Sequence, residues 1–237
     1  MTGLPTVGVA HGGDVRLLRH QLLARSVTRM LSGVIAVSEG CAQPFTSAPT
    51  LVTPMGVETS RFDGITRTLG PVKRVLFVGR LVPIKGIQVV LEAAQTLPLD
   101  ITVAGAGPLQ HTLEARFPRA HWMGPVSPED IPGLMQNHDL LVVPSVGTEG
   151  SPVVVAEACA AGLPVLSSDI GGLQQMVPDR MRVPPGDIRA WRNRLFELHT
   201  GHDKATLVGE RDRFGWNLIA DKIAHFLDDV LLPQVSG

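Results

Sequence analysis

Two carboxylates eight positions apart, Glu149 and Glu157, open and close the stretch "EGSPVVVAE", and the second interrupts a small, apolar run. A carboxylate in such a run needs donors that offset its desolvation. The vicinal hydroxyls of a sugar are such donors. So are the N–H groups of a neighbouring loop, in which case Glu157 is a cap and Glu149 a surface residue. A second pair of charges, Arg80 and Lys85, stands five residues apart in "GRLVPIKG". Two cations on one short loop suit a diphosphate, because both can neutralise its oxygens while the backbone supplies further donors; a solvated basic loop has the same composition. Gly105 and Gly107 in "AGAGPL" let backbone come close to a ligand, and a helix following them favours an anion at its amino end. This spacing is not the GxGxxG fingerprint, and no acid ends the following strand to take a ribose, which argues against NAD.

These residues need elements to hold them at one place. From Val72 onward the chain alternates regularly. "KRVLFVG", "LDITVAG", "HWMG", "DLLVVPS" and "LPVLSS" read as strands, while "IKGIQVVLEAAQTL", "LQHTLEARF", "PEDIPGLMQNH" and "PVVVAEACAAG" read as helices. Uncharged, β-branched strands alternating with helices predict a mostly parallel sheet covered on both faces, with ligands at the carboxyl ends of the strands. Arg80, Lys85, Gly105 and Glu149 all fall in loops at that edge, and Glu157 is expected to converge there with Arg80, Lys85 and Gly105. Pro152 fits the first helical position, and the amides of Gly150, Ser151 and the helix start are available to an anion. Upstream, "TVGVAH", "GVIAVS" and "PTLVTPMG" read as strands, "VRLLRHQLLARSVTRML" as a helix and "EGCAQPF" as a short helix or turn. The tail, with Ile219, Ile223, Phe226, Leu227 and Val230 among acids, predicts an amphipathic helix or two in series.

Composition narrows the function classes. With 44% apolar residues, 18% charged and a formal charge of −1, neither disorder nor nucleic-acid binding is favoured. Cys41 and Cys159 lie in segments that read as packed structure, so neither a disulfide nor a metal pair is expected, and a reducing, cytoplasmic setting is the default. No apolar stretch reaches the roughly 20 residues that span a bilayer. Peripheral contact with the inner face of a membrane stays open.

The chain resembles the GT-B-fold retaining glycosyltransferases of group 1, also called family 4. The resemblance rests on "FVGRLVPIKG", "VAGAGPL", "HDLLVVPS", "EGSPVVVAEACAAGLPVLSSDIGG" and "VPPGD", in the family's order over roughly residues 72 to 187. It extends with less specificity to "VSEG", "LVTPMGVETSRF" and "VAHGGD". It implies an α/β architecture: a doubly wound, Rossmann-like donor-binding domain over 72–210, preceded by a partial amino-terminal α/β domain (1–56) and a linker (57–71), and followed by helices (211–237) that return toward the first domain. Trp216 and Phe226 are then expected to touch residues 1–56, or to expose an apolar surface where that domain is incomplete.

By the same resemblance, Arg80 and Lys85 bind the donor diphosphate, Glu149 lies near the transferred sugar and Glu157 on the ribose diol. Gly150, Ser151, Pro152 and Val153 follow the sugar-phosphate, Gly105 belongs to the glycine loop of the nucleotide site, Val126 lies near the base, and His11 stands at the cleft close to sugar and acceptor. The implied donor substrate is a nucleoside diphosphate sugar, with no other cofactor and no acidic metal site. The implied acceptor is a hydroxyl of an unspecified glycan, lipid or small molecule. Two departures qualify this. Family members carry far more chain before the histidine than the ten residues found here, so the amino-terminal domain is expected to be incomplete, or completed by a partner. A nucleotide-sugar-binding chain without transferase activity is the alternative expectation. In addition, Gln175 stands where the family often has an acid, which keeps hydrogen bonding and loses charge.

Overall fold

A computed structural model describes residues 5–11 and 28–231. Two parallel sheets organise them. The smaller has the order β1-β2-β3, formed by β1 (Val7–Ala10), β2 (Gly33–Ala36) and β3 (Thr50–Val52). Its core gathers Ala10, Val34, Ala36, Val37, Cys41 and Phe45. A short helix, α1 (Glu39–Ala42), follows β2. The helix expected over "VRLLRHQLLARSVTRML" lies mostly outside the described residues.

The larger sheet has six parallel strands: β4 (Arg74–Val78), β5 (Asp100–Ala104), β6 (His121–Gly124), β7 (Leu140–Val143), β8 (Val165–Ser168) and β9 (Arg182–Val183), in the order β6-β5-β4-β7-β8-β9. All four residues of β7 and of β8 are buried, as a sheet covered on both faces requires. The covering helices include α2 (Ile87–Ala94), α3 (Gln110–Arg116), α4 (Ile131–Gln136), α5 (Val153–Ala160) and α6 (Leu173–Met176). Two longer helices, α7 (Ile188–Thr200) and α8 (Trp216–Leu231), follow. The strand order reverses between β4 and β7. Their amino ends are clasped by Asp139, whose carboxylate accepts from Lys73 N (3.1 Å), Arg74 N (2.8 Å) and Arg74 Nη2 (2.9 Å). Burial, the largest influence on Asp139, pushes its pKa up, but these hydrogen bonds together hold it below the usual range.

Two local features differ from the periodicity. The helix expected from "IKGIQVVLEAAQTL" is broken into a 3-10 turn (Pro83–Lys85) and α2, because Gly86 takes φ 63° and a Cβ there would lie 2.1 Å from the Pro144 carbonyl oxygen. Pro152 sits one residue earlier than expected, at the N-cap of α5, with ψ 116°. The tail agrees with the first of its two expected arrangements, one helix, α8, which begins at Trp216 after a turn over 211–214.

Residues 57–71 connect the two sheets but are not a free linker, since Val57, Phe62 and Ile65 are buried in the larger core. The chain returns after α7. Val57 N donates to Phe214 O (2.9 Å) and Trp216 N to Val57 O (3.0 Å). In α8 the Phe226 ring packs on Gly33 and the Trp216 ring on Gly56, so closely that a Cβ would come within 2.8 and 2.7 Å of them. The last helix thus joins the small sheet to the large one. No helix among the described residues is long and apolar enough to cross a membrane.

Both cysteines are free and buried. Cys159 donates to Glu210 O (3.1 Å), and burial pushes its thiol up to about 11. With so little thiolate at neutral pH, Cys159 is expected to resist a thiol-reactive chromogenic disulfide until denaturant is added. Rapid labelling of the native protein at Cys159, read by peptide mass, contradicts this.

Candidate functional site

In an open α/β sheet the loops that leave two neighbouring strands in opposite directions create a crevice at their carboxyl ends. Here those strands are β4 and β7. The loop after β4 carries Arg80 and Lys85, and the loop after β7 carries Glu149, Gly150, Ser151 and Pro152. A hydrogen bond from Val146 N to Ile84 O (2.9 Å) ties the two loops together. The crevice they form has a volume of about 310 Å³, with His11, Val37 and Met55 from the small sheet completing its wall.

Within it, Lys85 Nζ lies 2.7 Å from Glu149 Oε1, and the same oxygen accepts from Ser145 Oγ at 2.5 Å. Ser145 is fully buried at the end of β7, so Glu149 is held by one rigid donor and one longer, partly exposed one. Lys85 therefore has a carboxylate partner before any ligand arrives. Ser151 spans the crevice differently: its hydroxyl accepts from Met55 N (3.0 Å) and rests on Met176 Sδ (3.6 Å). Gln175 makes a parallel link, its Oε1 accepting from Glu39 N (3.4 Å). No side chain caps α5, leaving its leading N–H groups for solvent or an anion.

A second hollow of about 290 Å³ opens beside the first, lined by Val78, Gly79, Arg80, Ala104, Gly105, Ala106, Pro125 and Val126. It is largely apolar, and Arg80 borders both spaces. The glycines here serve loop-to-loop packing. A Cβ on Gly105, whose φ is 142°, would sit 1.9 Å from Gly79 O, and one on Gly107 would sit 2.4 Å from Leu81 O. Hydrogen bonds Gly79 N to Ala104 O (3.0 Å) and Leu81 N to Ala106 O (2.9 Å) stitch the same two loops. A third hollow, of about 160 Å³, lies among Leu91, Leu99, Ile101 and Phe117 near the amino end of β5, away from these loops.

The structure brings His11, Arg80, Lys85, Glu149, Gly150, Ser151 and Pro152 to one crevice, and Arg80, Gly105 and Val126 to the adjoining hollow. Val153 and Glu157 line neither. Val153 is exposed on the first turn of α5. The Glu157 side chain is 13% exposed and its Oε1 lies 3.9 Å from Arg61 Nη1. Among the described residues no hydrogen-bond donor reaches its carboxylate. Sequence reasoning missed Ser145, Thr148 and Arg61. The "PS" that ends an apolar strand was a signal for Ser145; nothing local signalled Arg61.

Burial pushes the Glu157 carboxyl above the usual range, with Arg61 opposing. An acid with a raised folded pKa does not penalise the fold below its unfolded pKa, and its destabilising effect grows as pH rises through the folded value. Glu157→Gln is therefore expected to unfold at higher denaturant than the parent at pH 7. The advantage should vanish as pH falls below the ordinary glutamate value of 4.5. A variant less stable at pH 7 and equal at low pH contradicts the sign.

Residues 72–200 match the glycosyl transferases group 1 family. This stretch covers more than half of the chain. The chain belongs to the group 1 glycosyl transferases. It is 32% identical over 196 residues to TuaC of Bacillus subtilis, a glycosyltransferase assigned to teichuronic acid biosynthesis, which covers 73% of this chain and 49% of TuaC. The D-rhamnosyltransferase WbpZ of Pseudomonas aeruginosa is 34% identical over 161 residues, 64% of this chain and 42% of WbpZ. The chain thus spans about half the length of these relatives. Among solved structures, Anabaena Alr3699/HepE in complex with UDP and glucose superposes with a TM-score of 0.77 at 23% identity, covering 94% of this chain and 71% of that one. Sucrose-phosphate synthase from Thermosynechococcus elongatus gives 0.76 at 22%, covering 94% and 67%. At such identities these superpositions speak for the fold, which is α/β, Rossmann-like and of the GT-B kind, as the group 1 resemblance implied.

Proposed function

We propose that this group 1 glycosyl transferase takes part in moving a sugar from a nucleoside diphosphate sugar to an acceptor hydroxyl, with retention at the anomeric carbon as in family 4. The observation that carries the proposal is the position of Arg80 between the two spaces. One cation borders both an apolar hollow suited to a base and a polar crevice containing Lys85 and Glu149, which is the order of parts in a nucleoside diphosphate sugar. That Alr3699/HepE was solved with UDP and glucose supports the same class of donor.

In the reaction the bond between the anomeric carbon and the leaving phosphate oxygen breaks, and its electron pair departs with the diphosphate. Arg80 and Lys85 meet that growing negative charge, together with the N–H groups at the start of α5, as preorganised electrostatic stabilisation. Glu149, fixed by Ser145, offers an acceptor to sugar hydroxyls. The acceptor oxygen bonds to the anomeric carbon and its proton passes to the departing diphosphate. His11, facing from the small sheet, is assigned to orienting the sugar and the acceptor. Incubation with UDP-, GDP- and ADP-sugars and a panel of glycan, lipid and small alcohol acceptors, with products read by mass spectrometry and anomeric NMR, tests this. A retained glycoside is expected. An inverted product overturns retention, and release of free sugar or epimer without any glycoside overturns the transferase assignment.

A further inference from the structure

The turn that joins the two sheets carries a guanidinium to which the donor site, as read above, assigns no part. Arg61 sits on the 3-10 turn Thr59–Phe62, whose Phe62 is anchored in the larger core. Its Cζ lies 5.8 Å from the centre of the Phe62 ring, which limits how the side chain can swing. Its two terminal nitrogens point to different partners. Nη2 donates to the carbonyl of Pro128, two residues after Val126 of the apolar hollow. Nη1 stands 3.9 Å from Glu157 Oε1.

The second distance is informative. It is too long for a hydrogen bond, and the Glu157 carboxylate accepts none from any other described residue, although it is mostly buried. A mostly buried carboxylate with one cation across a gap and no protein donor on its oxygens, which stay open to solvent, can take donors from a ligand. A ligand that displaces solvent there must bring hydroxyl or N–H donors and little charge of its own, because Arg61 already balances Glu157.

We propose that Arg61 is a positioning residue that keeps Glu157 ionised and aimed for a vicinal diol while fixing the neighbouring 125–128 loop, so that nucleotide binding couples the two through one guanidinium. This deepens the donor-site proposal and rests on it. A planar guanidinium can serve both partners because its N–H groups diverge in a fixed fork, whereas a lysine ammonium is a single point of charge on a flexible stem.

The test is a double-mutant cycle by titration calorimetry on the full chain, with UDP, GDP and their 2′-deoxy forms as probes and inorganic pyrophosphate as a control for the intact diphosphate loops. Arg61→Gln is expected to weaken the nucleotide that binds by roughly 10-fold, the weight of one charge-assisted hydrogen bond, with the 2′-deoxy form weakened less and pyrophosphate unchanged. In a Glu157→Gln background the same Arg61 change should cost clearly less than in the parent, because its part through Glu157 is already lost and only its hold on the 125–128 loop remains. Arg61→Lys should restore part of the loss and guards against a folding artefact. Additive losses, or equal losses for ribose and deoxyribose forms, overturn the role of Arg61 and leave the donor site standing. Failure of the unsubstituted chain to bind any of these nucleotides overturns the donor site, and this inference with it.

Discussion

Replacing Lys85 by alanine is expected to weaken binding of a nucleoside diphosphate by about 100-fold, toward the upper end of what one charged contact to phosphate supplies (about 1.5 to 3 kcal/mol). The geometry explains why the loss should be large. Lys85 is paired with Glu149 at 2.7 Å before ligand binds. Its removal takes away a cation and also leaves Glu149, held only by Ser145, facing the incoming phosphates. Repulsion is thus added to lost attraction. The double variant Lys85→Ala, Glu149→Gln should recover part of the affinity, since it removes the stranded charge. Titration of pyrophosphate and UDP against the three proteins separates the effects. If Lys85→Ala loses less than 3-fold, or the double variant binds more weakly than the single one, Lys85 and Glu149 are not arranged around a phosphate.

Gly105→Ala is expected to be strongly damaging for a single added methyl group. At φ 142° a side chain is strained, and the added Cβ would overlap Gly79 O at 1.9 Å. Strained backbone and overpacking each cost about 1 to 3 kcal/mol, so the sum approaches about 4 kcal/mol. Gly124→Ala is the matched control: its φ is 69°, but nothing lies within 4 Å of the new Cβ. It should cost about 1 kcal/mol for the left-handed conformation alone. Denaturant midpoints at constant slope give both values. Because the Gly79–Arg80 backbone forms one wall of the hollow, Gly105→Ala should also lose nucleotide affinity while still folded at low temperature. Equal costs for the two glycines contradict the close loop packing.

Much of the larger sheet was legible because its strands are uncharged, β-branched runs ended by Gly or Pro, and such runs have few alternatives to burial on both faces. The crevice was legible in part for the same reason: loops that end parallel strands share one edge, so Arg80, Lys85 and Glu149 line it with Gly105 in the hollow beside it, whereas Glu157, expected to converge with them, lines neither space. Other features have weaker or non-local signals. In α7, Asp187 caps Ala190 N (3.0 Å) while Trp191, Leu195 and Leu198 are spaced to face the core, a signal that the sequence itself carries. Strand β9 has two residues between prolines and owes its existence to pairing with β8, which no local pattern reveals. The ion pairs Lys85–Glu149 and Arg61–Glu157 join residues 64 and 96 positions apart. They depend on which loops the strand order places together. Gly86 reads as a tolerable helix glycine until the Pro144 carbonyl is found where its Cβ would be.

The crevice at the β4/β7 reversal and the hollow beside it are proposed to form one donor site, joined at Arg80. The most direct measurement is calorimetric titration of the chain with UDP-glucose and GDP-mannose, repeated with Arg80→Ala and in the presence of excess pyrophosphate. The site described here predicts saturable one-to-one binding of at least one of the two, displaced by pyrophosphate and weakened at least about 10-fold by Arg80→Ala, as loss of a charged phosphate contact requires. Binding of neither, or binding indifferent to both pyrophosphate and Arg80, would contradict it.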